Sequence, residues 1–224
     1  MRYRTPLLII CLLVLVTATL ASFNVSVRPQ PAMATASAPA RPLEIEEEEY
    51  AVYSVMINDA LKEGREQEKR KDAAERVLII NDNPSLWQGF VADESKTFFE
   101  ELKNSSPELE PETLNDLQIK GKETQRLERK FSLNIKYIIV KDEEIEALFK
   151  DNVMGGWEAF HRKYPKSSGI LSLSRVGFNS DKTQAIVYKG WSCGGLCGGG
   201  GYILLKKKKG VWVVGPGIGP TWVS

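Results

Sequence analysis

Apolar residues first recur at helical spacing at Tyr50, Tyr53, Ile57 and Leu61, behind an unbroken acidic run over 46–49. That spacing predicts an amphipathic helix with one face on a core, and Gly64 is placed to end it. Carboxylates in a first turn suit the positive end of the backbone dipole. A solvated first turn is the expectation, because consecutive carboxylates on a helix radiate outward and do not converge on a cation. Val77, Leu78, Ile79 and Ile80 then form a short continuous apolar run closed by Asn81, Asp82, Asn83 and Pro84. This reads as a buried strand followed by a turn. The Asn/Asp cluster lacks the glycine and the terminal glutamate of a calcium loop.

Between 85 and 130 the pattern weakens. Phe98, Phe99 and Leu102 predict a short helix ended by the turn residues 104–107, and Pro111 stands at the first turn of another that carries Leu114 and Leu117. Trp87 and Phe90 are expected to pack over the neighbouring core. Phe131, Leu133, Ile135, Tyr137 and Ile139 alternate with polar residues, as in a strand with one buried face. Asp142 is expected to cap a helix reaching about Lys150. The next helix begins near Gly156, sets Trp157, Phe160 and Tyr164 on one stripe, and stops at Pro165.

From Gly169 onward the period falls to two. Strands over 169–178, 183–191, 202–207 and 211–214, with turns at 179–182 and 209–210, predict a four-stranded antiparallel meander, and Trp222 marks a further short strand. The apolar phase shifts between Leu173 and Val176, which places a bulge near Ser174 and Arg175. Leu171, Leu173, Val187, Leu204 and Val213 are expected to be buried, with Trp157 and Phe160 packed on the sheet. The fold class is therefore α+β: helices and two early strands, followed by a C-terminal antiparallel β-meander of four or more strands.

The first 42 residues contribute nothing to this core. Arg2 and Arg4 precede an uncharged apolar run over 7–16 and small residues through Ala21, the arrangement of an export signal. Residues 1–21 read as a cleaved signal peptide or as a retained membrane anchor, and either outcome exports the rest of the chain. Cys11 is preceded by Ile9 and Ile10, where a lipoprotein signal has small residues. Residues 22–42, rich in Pro and Ala, form a linker. A single globular domain over 43–224 remains, roughly 180 residues, enough for a full core. Lys and Arg total 30 against 29 Asp and Glu, and loss of Arg2 and Arg4 leaves 28 against 29. So balanced a chain has no electrostatic case for nucleic acid, and a membrane contact rests on the N-terminal segment alone.

A resemblance runs through the same residues. Glu49 to Tyr53, Trp157, Phe160, Tyr164 and Pro165, the run Leu173-Ser174-Arg175-Val176-Gly177-Phe178-Asn179, Gln184 and Ala185, Val187 and Tyr188, and the ending Trp222-Val223-Ser224 are similar to a group of uncharacterised exported bacterial proteins. Tyr202, Leu204 and Leu205, with Gly210 and Trp212, fit the same group. The resemblance implies a periplasmic or extracellular setting, and it brings no activity, cofactor or catalytic residue with it.

The most conspicuous local feature is the run Ser192-Cys193-Gly194-Gly195-Leu196-Cys197 followed by four glycines. In an exported chain Cys193 and Cys197 read most simply as a disulfide that restrains a costly glycine loop, with two free thiols as the alternative. A thiol–disulfide exchanger uses a tighter spacing at a helix start. Zinc would need two more ligands, and a phosphate cradle lacks the lysine and the following helix of a P-loop. No metal or cofactor is therefore expected. His161 is the only histidine, and it would either tip the aromatic stripe or serve as base to a Cys193 nucleophile. Ser172 and Ser174 show no nucleophile-elbow pattern. Arg175, among apolar neighbours, needs a carboxylate or carbonyl partner if it points inward, or else it binds an anion. Lys206 to Lys209 form a solvated hairpin tip or a contact with anionic lipid or polymer. These features favour a non-enzymatic module for a protein or envelope polymer, with Trp191, Leu196, Tyr202 and Arg175 as candidate binding residues. The alternative is an enzyme working through His161, Arg175 or Cys193.

Overall fold

The computed structural model describes residues 44–67, 76–84, 92–122 and 125–224; the export segment, the linker, residues 68–75, Trp87 and Phe90 lie outside them. The elements follow the order α1 (Glu47–Gln67), β1 (Val77–Asn81), α2 (Ala92–Ser105), α3 (Pro111–Lys120), β2 (Lys136–Val140), α4 (Asp142–Phe149), α5 (Val153–Lys163), β3 (Ile170–Leu173), β4 (Gly177–Phe178), β5 (Gln184–Gly194), β6 (Cys197–Lys208) and β7 (Val211–Val223). All strands among the described residues join one seven-stranded sheet of order β2-β1-β3-β5-β6-β7, with β4 beside β5. The fold is α+β, and the last four strands of that order are antiparallel neighbours. The early strands β1 and β2 run parallel to each other, and β1 runs parallel to β3. They extend the meander into a mixed sheet, because the helices between them carry the chain back across it.

Alternation along the strands sorts the core into two faces. Leu78, Ile80, Leu171, Leu173, Val187, Leu205 and Trp212 meet Tyr50, Tyr53, Met56 and Ile57 of α1. The intervening residues Ile186, Tyr188, Tyr202 and Leu204 meet Leu102 of α2 and Leu114 and Leu117 of α3. Beside them Ile79 and Ile170 meet Trp157 and Phe160 of α5. Helices thus cover both faces, and period-two strands can bury both of their sides.

Several boundaries differ from the sequence reading. α1 continues past Gly64 to Gln67. Residues 131–135 are not a strand, although Phe131 is buried and Leu133 and Ile135 pack on the core. Their backbone is taken by α1 side chains: Ser132 N–H donates to Ser54 Oγ and Asn134 N–H to Asn58 Oδ1, at 2.9 Å each. Asp142 is the first helical residue of α4, not its cap. Its amide donates to Asp82 Oδ1, while its own carboxylate accepts from Asn81 and Asn83. The turn after β1 therefore caps a helix distant in sequence. α5 starts three residues before Gly156, with Asn152 as its cap. The glycine-rich segment is strand, and Trp222 belongs to the same continuous β7 as Val211. Val213, expected to be buried, is 38% exposed, because Trp212 takes the inward position.

The acidic run is also not a solvated turn. Glu46 pairs with Lys182 and Lys120, Glu48 with Lys207 and the Trp212 indole, and Glu49 with Arg175; Glu47 alone of the four is exposed. These carboxylates clamp the start of α1 to α3, to the bulge before β4, to the turn before β5, and to β6 and β7.

Candidate functional site

Between Leu173 and Gly177 the chain advances four residues while its partner strand advances three, from Lys189 to Ile186. The extra residue is the expected bulge, and it turns the Arg175 side chain beneath α1. There Arg175 has 0% exposure, as does Glu49. Arg175 Nε and Nη2 donate to the two Glu49 oxygens at 2.9 and 2.7 Å, and Nη2 also reaches Glu44 O at 3.0 Å. Glu49 Oε2 accepts a further bond from Val176 N–H at 3.0 Å. A forked pair with both members at 0% exposure presents no surface to a ligand. Burial works against the guanidinium charge, but Glu49 more than offsets this and holds the Arg175 pKa above its ordinary value. Nearby, burial pushes the Tyr53 hydroxyl pKa well up, and this phenol donates to Ser174 O at 2.7 Å.

The second feature is the β5–β6 hairpin. The cysteine pair forms a disulfide, Cys193 to Cys197, with Cα atoms 5.1 Å apart. Cys193 is the extra residue where the register shifts between Ser192 and Gly194. What read as a long glycine loop is a tight turn at Gly195 and Leu196, the glycines beyond it pairing in register with β5 and, in part, β7. Leu196 stands at the tip with 90% exposure. Beside it are Val153 and Met154 at the start of α5, 56% and 67% exposed. A side chain at Gly195 would come within 3.0 Å of Met154 Sδ, so tip and helix start touch.

Below this rim lies a groove of about 390 Å³, lined among others by Phe149, Val153, Trp157, Ser172, Ser192 and Cys197. Ser172 pairs with Gly190, and Gly190 with Gly200, across β3, β5 and β6. A Cβ at Gly200 would lie 2.4 Å from the Tyr188 hydroxyl and 2.6 Å from Trp222 Nε1. Glycine there leaves room for the 2.7 Å bond that the Trp222 indole donates to Tyr188. No hydrogen bond engages the Ser172 or Ser192 hydroxyl among the described residues. An aromatic wall with a few convergent neutral donors is the usual composition of a ligand site.

The residues singled out from the sequence do not share this site equally. Leu196 stands on its rim. Trp191 packs against the opposite face, with the α1 core, and Tyr202 is buried in the α2–α3 core. Arg175 is closed off by Glu49. His161 is exposed on α5 and tilts on Trp157 with ring centroids 5.8 Å apart. Cys193 is held in the disulfide. His161, Arg175 and Cys193 therefore occupy three separate surroundings. Among the described residues no three His, Cys, Asp or Glu side chains gather as metal ligands would, and no helix is long and apolar enough to cross a membrane. Val153, Met154 and Ser192 were missed by sequence reasoning, and the one available signal was that Met154 is a large apolar residue off the Trp157 stripe.

These features define an α+β module with helices on both sheet faces and a disulfide-pinned hairpin beside a neutral groove. Comparison of the chain with family models, with curated proteins and with solved structures finds no match in any of the three.

Proposed function

We propose that the protein is an exported, non-enzymatic binding module of the cell envelope or the extracellular space, and that it holds a protein or envelope polymer at the β5–β6 hairpin. The observation that carries this reading is the contiguous rim of Val153, Met154 and Leu196 above the groove. Exposed apolar side chains on a helix start and a cross-linked turn sit on backbone that loses little freedom on binding, so more of their burial is retained as affinity. The disulfide is compatible with an oxidising compartment, and the N-terminal pattern and the resemblance to exported bacterial proteins support the same location. Apart from Leu196, the candidates Trp191, Tyr202 and Arg175 act in this reading as supports of the hairpin and sheet.

Photo-crosslinking from position 196 in the native host tests it. The expected result is an adduct with an exported protein or polymer that disappears when Met154→Asp is added, while the thermal midpoint stays unchanged. Abundant, folded protein that forms no adduct, or that fractionates with the cytoplasm, refutes the reading.

A further inference from the structure

At the opposite end of β6 from Leu196, the outer edge of β7 carries a second surface. β7 is the last strand of the sheet and pairs with β6 alone among the described strands. Lys209 and Gly210, at φ of 52° and 80°, form the two-residue turn between these strands. A turn of that type makes the flanking Lys208 and Val211 a hydrogen-bonded pair. The alternation of an antiparallel ladder then points the amide and carbonyl of Val213 toward β6, and those of Trp212 and Val214 outward. Lys207, opposite Trp212, agrees with this phase: its N–H donates away from β7, to Thr183 O at 2.7 Å.

Beside these outward groups a groove of about 690 Å³ separates β7 from α1, with Val55 and Leu61 among its apolar lining and Asn58, Asp59 and Lys62 around them. Val211 and Val213 are exposed on the strand itself. Next to Val211 stands the hairpin tip, where Lys206, Lys208 and Lys209 are exposed and have no ion pair among the described residues, while Lys207 is occupied by Glu48.

We propose that this edge accepts an extended polypeptide strand from a protein partner, antiparallel to β7, with apolar residues beside 211–214 and acidic residues at its C-terminal end facing the lysine tip. Outward N–H and C=O groups repeating at strand spacing are matched by another backbone. Three unpaired lysines at one end select the charge and set the direction. Pro216, two residues beyond Val214 and lacking an N–H, keeps the docked segment short. The surface is separate from the Leu196 rim, so the two readings stand or fall independently.

Fluorescence anisotropy with a labelled hexapeptide, threonine-valine-threonine-valine-glutamate-glutamate, tests it on the folded protein. The expected result is binding at least about tenfold tighter than that of the same peptide ending in two lysines, with the preference reversed when Lys206, Lys208 and Lys209 are all replaced by Glu. Val214→Pro removes one outward N–H but no bond to β6, and it should weaken binding by about tenfold or more with an unchanged circular dichroism spectrum. If Val214→Pro unfolds the protein, the charge reversal decides. No binding up to about 1 mM peptide, equal affinity for the two peptide endings, or undiminished binding by a folded Val214→Pro variant overturns the proposal.

Discussion

Replacing Glu49 with Ala should be among the most damaging single changes available in this chain. The substitution leaves the Arg175 guanidinium at 0% exposure without its two carboxylate bonds, and it removes the acceptor of Val176 N–H. Breaking a buried ion pair from one side costs about 3 to 5 kcal/mol, and an orphaned buried amide adds about 1 to 3. The two overlap in space and will not sum fully, so a loss of about 4 to 6 kcal/mol is expected. That is a large share of the ~5 to 15 kcal/mol that separates a folded domain from its unfolded state. The paired change Glu49→Leu with Arg175→Met removes both charges together. It should recover most of the loss, because the desolvation penalty disappears along with the attraction. Urea unfolding followed by tryptophan fluorescence reads all three proteins. A loss below about 1 kcal/mol for Glu49→Ala, or a double variant no better than the single one, would refute the claim that this pair is dry and mutually dependent.

The other expectations are smaller. Leu173→Ala, at a side chain 1% exposed between α1 and the sheet, should cost about 2 to 5 kcal/mol in the same assay, and a change under about 0.5 would mean its packing is not as described. Replacing Cys193 and Cys197 together by Ser should cost only about 0 to 3 kcal/mol, since so small a ring removes little unfolded-state entropy; complete unfolding would show that the hairpin needs its pin to fold. Gly200→Ala should displace the Tyr188–Trp222 bond and lower the thermal midpoint, whereas an unchanged midpoint would show that the strands shift to admit a Cβ. Glu48 has its pKa lowered chiefly by the bond from Lys207, with a further bond from Trp212. A carboxylate whose folded pKa lies below its unfolded value stabilises fully above the unfolded value, about 4.3, and loses that contribution as pH falls through the folded one. Glu48→Gln should therefore flatten the acid side of the stability profile below about pH 5 and leave its slope at neutral pH unaltered; an identical acid slope in the two proteins counts against the clamp.

Much of the architecture was legible because it depends on local spacing. The 3.6-residue stripe of Tyr50, Tyr53 and Ile57, the apolar run at 77–80, Pro111 at a helix start and the period-two alternation after Gly169 each report which side of an element meets apolar neighbours, whatever those neighbours are. The bulge at Ser174 and Arg175 could be read for the same reason, since an inserted residue inverts the alternation within one strand. Spacing fails where the partner is far away in sequence. Residues 131–135 alternate like a strand but spend their amides on Ser54 and Asn58, more than 70 positions earlier. The glycines after Cys197 have the composition of a loop, yet neighbouring strands take up their backbone groups, and composition carries no record of that.

The candidate site divides along the same line. By its own pattern the sequence establishes an α+β chain with a two-cysteine hairpin, a lone histidine and one arginine in need of a partner, because residue type and short-range order determine those features. Only the tertiary structure decides that Glu49, 126 positions from Arg175, is that partner, that Trp191 and Tyr202 face opposite sides of the sheet, and that Val153 and Met154 join Leu196 on one rim. Helices and turns are settled by neighbours along the chain, whereas a binding surface is made by which elements the packed sheet brings side by side, and that follows from the burial of every element at once.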